Sequence, residues 1–293
     1  MNSSNSTTDN TERLKDKSAL TRQWEAIDWV QVKNYVNRLQ TRIAKATVKG
    51  DKNRVKRLQY LLTHSFYAKA YAVKKVTSNK GKNTSGIDKK LWSTSAAKMK
   101  ATLTVTDKHY RAKPLRRVFI EKKGKNKKRP LGIPTMYDRT MQTLYALALE
   151  PIAETTGDNI SFGFRRGRSA KDACEQIFCV LARKCSPTWV LEGDIKGCFD
   201  NINHNWLLEN IPTDKRIMNQ FLKSGFVYKG KLFSTDTGSP QGGAISSLYA
   251  NMTLDGLEKL IQDKYHRNSK GKIENHYRAK TKVNFVRYAD DFI

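Results

Sequence analysis

The sequence predicts an α+β protein, and three observations carry that prediction. Apolar residues recur at spacings of three and four through a strongly basic N-terminal stretch, the mark of amphipathic helices. Two apolar runs, Trp189–Asp194 and Phe285–Ile293, are rich in strand formers yet carry carboxylates, which strands disfavour. A second pair of strand-like segments, Arg116–Glu121 and Arg129–Pro134, flanks a turn dense in lysine. At 293 residues the chain can build two subdomains with their own cores, and its 38% hydrophobic content is low but sufficient.

Residues 21–48 are predicted to form one helix, with Trp29, Val32, Val36, Leu39 and Ile43 inward and Arg38, Arg42, Lys45 and Lys49 on a neighbouring face. Gly50-Asp51 ends it. A second helix is predicted from Asp51 to Val76, with Val55, Leu58, Leu62 and Phe66 inward and Arg54, Lys56 and Arg57 outward. The pair reads either as a solvated basic hairpin or as an RNA-backbone clamp, and the scarcity of acidic neighbours favours the clamp. The segment Asn79–Asp88, with Lys80 and Lys82, is a glycine-punctuated basic loop. It lacks the spacing of a nucleotide P-loop but suits nucleic-acid phosphates. In the next hairpin the prolines fit an edge strand. Its cationic tip is self-repelling unless it lies over a triphosphate. Asp138 is expected to cap the following helix, whose apolar residues belong to a core. Ser161–Ser169 mixes two aromatics, two glycines and Arg165, Arg166 and Arg168, which suits stacking and phosphate contact with a single strand or hybrid duplex. A helix from Ala170 to Lys184 leads into the Asp194 strand. Thr237–Asn251 is a Gly-Ser-Pro-Gln-Gly-Gly loop entering a helix, with a backbone bare enough to approach a base pair.

The net charge of +28 is unevenly placed. Residues 1–140 hold 34 basic and 10 acidic side chains, and residues 141–293 hold 21 and 17. A basic half beside a nearly balanced one points to a polyanion held by the first half, with nucleic acid ahead of an anionic membrane. No segment approaches the ~18 apolar residues of a membrane span. Residues 1–20 begin as a polar tail, expected to be disordered, without the apolar core of a signal peptide. The four cysteines, 174, 179, 185 and 198, form no C-x-x-C pair, which argues against zinc and a disulfide framework and for reduced thiols.

Asp290-Asp291 sits inside an apolar run, as at a hairpin turn that holds both carboxylates up. Clustered carboxylates without His or Cys suit a hard cation, Mg²⁺ above all. Alone, the pair could be a solvated acidic turn. The Asp194 run decides the matter, since two carboxylate-bearing strands can converge on two Mg²⁺ about 3.5–4 Å apart, the arrangement of an in-line phosphoryl transfer.

Three blocks, Asp194-Ile195-Lys196-Gly197-Cys198-Phe199-Asp200, Gly238-Ser239-Pro240-Gln241-Gly242-Gly243 and Tyr288-Ala289-Asp290-Asp291, follow one another in this order. Together with Gln23–Trp29 and the Asn79–Asp88 loop they resemble the fingers and palm of a group II intron reverse transcriptase, or maturase, over nearly the whole chain. The resemblance implies a right-hand polymerase fold. Its antiparallel palm sheet has flanking helices and is preceded by a basic helical N-terminal extension: 21–92 extension, 93–185 fingers, 186–293 palm. It implies RNA-directed DNA synthesis with two Mg²⁺, and intron-RNA binding that assists splicing. Asp194, Asp290 and Asp291 would form the metal triad, with the Ile195 carbonyl also facing a metal. Phe199 would exclude a ribose 2′-OH. Lys122 and Arg129 would grip the triphosphate, and Gln241 would lie beside the incoming sugar. Arg165-Arg166-Gly167-Arg168-Ser169 matches the family's Phe-Arg-Pro-x-Arg-Ser element, except that Arg166-Gly167 stands where proline is usual.

The implied partners are intron RNA, an RNA template with a DNA primer, and dNTP, in the cytoplasm of a bacterium or in an organelle, with no membrane. The sequence stops just after the Asp-Asp motif, within a hairpin, so it is expected to be a fragment, lacking the return strand, primer grip and thumb, inactive or weak in polymerisation alone while still binding RNA. Its last residues are expected to fray, and the exposed palm edge to pair with a second copy as a homodimer at high concentration. Two alternatives remain: a non-catalytic intron-RNA-binding splicing cofactor, or a reverse transcriptase of another bacterial retroelement, which the N-terminal extension disfavours.

Overall fold

A computed structural model describes residues 16–122, 125–240, 242–274 and 281–293, without the side chains of 122 and 125–127. The described residues form two compact units, one drawn from 1–151, 212–236 and 240–245, the other from 152–211, 237–239 and 246–293.

Among the described residues the first unit begins with helix α1 (residues 16–25), followed by α2 (Trp29–Val48), α3 (Lys52–His64), α4 (Phe66–Ser78) and α5 (Ser95–Thr104). Of the tail expected to be disordered over 1–20, residues 16–20 are helical and 1–15 lie outside the described residues. The expected single helix over 21–48 is two. Asp28 accepts hydrogen bonds from the amides of Val30 (2.8 Å) and Gln31 (3.1 Å), so a new helix starts there. The helix expected over 51–76 is likewise divided, because the Ser65 hydroxyl caps α4 through the Ala68 amide. That restart turns Phe66 outward, contrary to expectation, and Ala68, Ala72, Val73 and Val76 take over the buried stripe. Val32, Val36, Leu39 and Ile43 of α2 and Val55, Leu58 and Leu62 of α3 are buried as predicted. Burying each of these aliphatic side chains contributes about 1.5–3 kcal/mol. Trp24, packed edge-on against Trp29 at 5.0 Å, clusters with Val73, Met99 and Ala101.

Strands β1 (Leu115–Lys122) and β2 (Lys125–Ile133) form the expected antiparallel hairpin. The sheet order is β2-β1-β4-β5, with β4 (Phe226–Tyr228) parallel to β1 and β5 (Lys231–Phe233) antiparallel to β4. Pro130 therefore lies on an edge strand, where its missing N–H costs no ladder bond. Helix α6 (Met136–Thr156) follows. Its cap is Thr135, whose hydroxyl accepts from the Asp138 amide at 3.1 Å; Asp138, expected as the cap, is the buried partner in the first turn and accepts from Thr135 at 2.6 Å and Tyr110 at 2.7 Å.

Two arginines staple the Asn79–Asp88 loop. Arg139, buried, donates to the carbonyls of Pro134 (3.1 Å), Gly81 (2.9 Å) and Thr84. Arg116 donates twice to the Ser85 carbonyl, at 2.8 and 3.0 Å. Gly86 presses on Thr135 so closely that a Cβ would lie 2.6 Å from its backbone.

The second unit contains α7 (Ala170–Leu181), β3 (Gly193–Asp194), α8 (Cys198–Asn201), α9 (His204–Asn210), α11 (Ser246–Leu254), α12 (Leu257–Tyr265), β6 (Arg287–Tyr288) and β7 (Asp291–Phe292); α10 (Lys215–Leu222) belongs to the first. Helix α7 opens on a Ser169–Asp172 capping box. Its small sheet is antiparallel, in the order β3-β7-β6. The run Trp189–Asp194, expected as a buried strand, pairs only at Gly193–Asp194, and Trp189 is 92% exposed. No described strand lies opposite Trp189, Val190 or Leu191, so their apolar side chains have nothing to pack on. The return strand expected to be missing is present as β7, and Ile293 exchanges both backbone hydrogen bonds with Val286.

Candidate active site and nucleic-acid surface

The three aspartates come together through backbone register. Asp194 of β3 is the Cα partner of Asp291 of β7, and Asp290 occupies the β6–β7 turn. The Ile195 amide donates to the Asp290 carbonyl at 3.1 Å, extending the ladder past the last paired residue. The Ile195 carbonyl accepts from the Cys198 amide at 3.1 Å, which leaves it one lone pair. Asp194 and Asp291 are exposed and Asp290 is half-buried. Burial, joined by the charges of Asp290, Asp194 and Glu192, pushes the Asp291 carboxyl above the usual carboxylate range. Burial and the charges of Asp290 and Asp194 likewise raise the Cys198 thiol. Among the described residues no three His, Cys, Asp or Glu side chains converge tightly enough to enclose an ion. The donor set still fits a hard cation: oxygen only, like-charged and crowded on one hairpin edge.

Around the carboxylates the turns demand glycine. Gly197 (φ 63°) starts α8. Gly238 (φ 81°) would bring a Cβ within 2.7 Å of the carbonyl oxygens of Phe199 and Asp200. Its amide donates to the Ile202 carbonyl at 2.8 Å and the Ser239 amide to that of Phe199 at 2.7 Å, so this loop fixes the backbone that carries Phe199. The Phe199 ring meets Phe164 edge-to-face at 6.0 Å. Phe164 is itself exposed and holds a left-handed φ of 59°.

The remaining predicted residues divide. Arg129 is exposed on β2, opposite Ile120. The backbone of Lys122 pairs with Lys125 across a bulge, while its side chain and all of Gln241 lie outside the described residues. Arg38, Arg42, Lys45, Lys49, Arg54, Arg57, Lys80 and Lys82 are all exposed, and none forms an ion pair with a described carboxylate. Arg165, expected to meet RNA, is half-buried with its side chain only 6% exposed: it pairs with Glu154 at 2.9 Å and donates to the carbonyls of Asp158 and Ser161. With those donors taken it braces the protein rather than facing a ligand. Arg168 is half-buried, with one arm on the carbonyls of Asn159 and Ser161 and its guanidinium 5.4 Å from the Phe162 ring centre.

Sequence reasoning missed Arg287 in the carboxylate hairpin, and it placed Phe164 only among residues suited to stacking on nucleic acid, not against Phe199. A lone arginine inside Phe285–Tyr288, an otherwise apolar run, was the available signal, since a buried charge requires partners. No described helix is long and apolar enough to cross a membrane.

Comparison with known proteins identifies the family. Residues 24–105 match the N-terminal domain of reverse transcriptase, and residues 120–293 match reverse transcriptase (RNA-dependent DNA polymerase). The chain is 38% identical over 231 residues to the group II intron-encoded protein LtrA of Lactococcus lactis subsp. cremoris, covering 75% of this chain and 38% of that protein. It is 30% identical over 288 residues to protein YkfC of Escherichia coli (strain K12), covering 88% of this chain and 75% of that one. It is 31% identical over 212 residues to an uncharacterized 91 kDa protein in the cob intron of Schizosaccharomyces pombe, covering 70% and 26%. A chain of the solved "Partial Cas6-RT-Cas1--Cas2 complex" aligns at TM-score 0.45 and 20% identity over 80% of this chain and 37% of that one. The chain thus spans well under half the length of its Lactococcus relative. It belongs to the reverse transcriptase family and has group II intron-encoded proteins among its relatives.

Proposed function

We propose that these residues form the extension, fingers and palm of a group II intron maturase, which binds intron RNA to assist splicing and copies RNA into DNA. The observation that carries this is the strand register setting Asp194 opposite Asp291, with Asp290 at the turn, in a chain of this family. On this reading residues 21–92 are the N-terminal extension, 93–185 the fingers and 186–293 the palm. Asp194, Asp290 and Asp291 hold two Mg²⁺, with the free lone pair of the Ile195 carbonyl as a further oxygen. Bound there, such a metal pair offsets charge on the attacking and leaving oxygens of phosphoryl transfer. Lys122 and Arg129 hold the triphosphate, Gln241 lies beside the sugar, and the Phe199 ring fills the space a 2′-OH would need. The eight exposed cations of the first unit, with Arg168, contact RNA. Template, primer, dNTP and intron RNA are the partners, in a bacterial or organellar host.

The test is primer extension on an RNA template, with these 293 residues and with any longer polypeptide that carries them. Little or no synthesis is expected from the 293 residues alone; a longer polypeptide should synthesise DNA and exclude ribonucleotides, and Phe199→Ala in it should admit them. Failure of every form to incorporate dNTP would overturn the polymerase reading. Specific intron-RNA binding without synthesis would favour the splicing-cofactor alternative, which the basic first half supports.

The raised Asp291 carboxyl gives a second expected result. A folded pKa above the unfolded one means the ionised form destabilises the fold, so stability rises as pH falls through the raised value and the penalty is complete above it. A divalent cation relieves the same crowding. Mg²⁺ should therefore raise the melting temperature at neutral pH, with a shift that shrinks on acidification. An equal shift in Asp291→Asn would place the cation elsewhere.

A further inference from the structure

Arg287 lies directly behind the carboxylate hairpin and is fully buried. Its Nη2 donates to Asp255 Oδ1 at 2.7 Å. Its Nη1 donates to the Ala289 carbonyl at 3.2 Å and to Asn251 Oδ1 at 3.3 Å. Nε has no partner among the described residues. The contact with Ala289 matters most, because that carbonyl belongs to the peptide bond joining Ala289 to Asp290.

The same turn is held from its other side, at the Ala289 nitrogen. Asn251 donates through Nδ2 to the Gly163 carbonyl at 2.8 Å. Gly163 lies so close to the turn that a Cβ there would sit 2.3 Å from the Ala289 nitrogen. Ala289 itself holds φ at 59°, a left-handed conformation that a non-glycine residue keeps only when its surroundings impose it. Arg287, Asn251, Gly163 and Ala289 thus close a ring around the turn. The backbone of Arg287 is fixed too: its amide donates to the Ile160 carbonyl at 3.0 Å, and its carbonyl accepts from Phe162 at 2.9 Å.

The charge of Arg287 is answered by Asp255, and behind it by Asp158, whose carboxylate accepts from the amides of Gly256 (2.9 Å) and Glu258 (3.2 Å). Its Nη1 hydrogen bond, in contrast, goes to the turn. We propose that Arg287 is a positioning residue, one that through the Ala289 carbonyl holds the Asp290 carboxylate in register with Asp194 and Asp291 for divalent metal. This rests on the metal-binding reading of the three aspartates. Lysine at 287 would keep the charge opposite Asp255 but could not span Asp255, Asn251 and Ala289 with a planar fork. Groups that orient a metal ligand typically account for about 10–100-fold in metal affinity.

The experiment is a Mn²⁺ titration by electron paramagnetic resonance on the full chain, beside its melting transition and circular dichroism. Asp290→Asn identifies the site by abolishing the tight Mn²⁺. Arg287→Lys is expected to keep the cooperative melt and weaken Mn²⁺ about 10–100-fold. Gly163→Ala, which pushes on Ala289 from the opposite side with Arg287 intact, should weaken it similarly. The double variant should lose less than the product of the two, because both act on Ala289. A folded Arg287→Lys that binds Mn²⁺ like the unsubstituted chain overturns the proposal. If that variant does not fold, a folded Gly163→Ala with unchanged affinity overturns it instead. An unsubstituted chain with no Mn²⁺ sensitive to Asp290→Asn overturns the metal reading, and this inference with it.

Discussion

Asp290→Ala is expected to abolish primer extension while leaving RNA binding nearly intact. Metal-ion stabilisation of a phosphoryl-transfer transition state is worth several kcal/mol. Each 1.36 kcal/mol is tenfold, so a loss of about 1,000-fold or more is expected. The side chain sits at the β6–β7 turn, whereas the exposed arginines and lysines assigned to RNA lie on α2, α3 and the loop after α4. Removing a ligand therefore leaves those cations untouched. Single-turnover extension and a filter-binding isotherm on one preparation would separate the two effects. Extension at the unsubstituted rate would remove Asp290 from the site, and a parallel collapse of RNA affinity would show that the turn supports the fold as a whole.

The second large effect is ionic. If the basic half neutralises six to ten phosphates, raising salt from 50 to 200 mM should weaken RNA binding by about 10³–10⁵-fold. Replacing Arg38, Arg42, Lys45 and Lys49 together by Gln should flatten the salt dependence, log K against log salt, by about 0.7 for each single-strand phosphate no longer neutralised. These four recur on one exposed helix face without carboxylate partners, so their removal breaks no described ion pair. A salt-independent affinity, or an unchanged slope in the quadruple variant, would take the polyanion away from this face.

Much of this was legible from residue spacing. The stripes of α2 and α3 stand out because an apolar residue every three or four positions has one physical reading. Their interruptions at Asp28 and Ser65 did not, because a cap acts through a side-chain hydrogen bond within an apolar rhythm that continues. The carboxylates were readable because aspartate is costly inside a strand unless it has a task. The run 189–191 misled, since apolar composition announces burial but cannot supply an opposing strand. Strands β4 and β5 were not foreseen. Their tight turn at Lys229-Gly230 is visible in the sequence, but the parallel pairing of β4 with β1, about a hundred residues away, is not. Arg165 reads as an RNA contact because arginines beside glycines resemble a phosphate grip. Its true partner, Glu154 near the end of α6, becomes adjacent only through the fold.

The arginine staples on the Asn79–Asp88 loop change the entropy of recognition. A free basic loop loses about 1–2 kcal/mol of backbone freedom for each residue it orders on a ligand. Here Arg139 and Arg116 hold the carbonyls of Gly81, Thr84 and Ser85, so that freedom is given up when the protein folds, before any nucleic acid arrives. Lys80 and Lys82 are then presented from a stiff backbone, with only their side chains left to settle. Encounter at such a surface is governed by electrostatic steering and not by loop closure, and differences between RNA sequences fall on the lifetime of the complex.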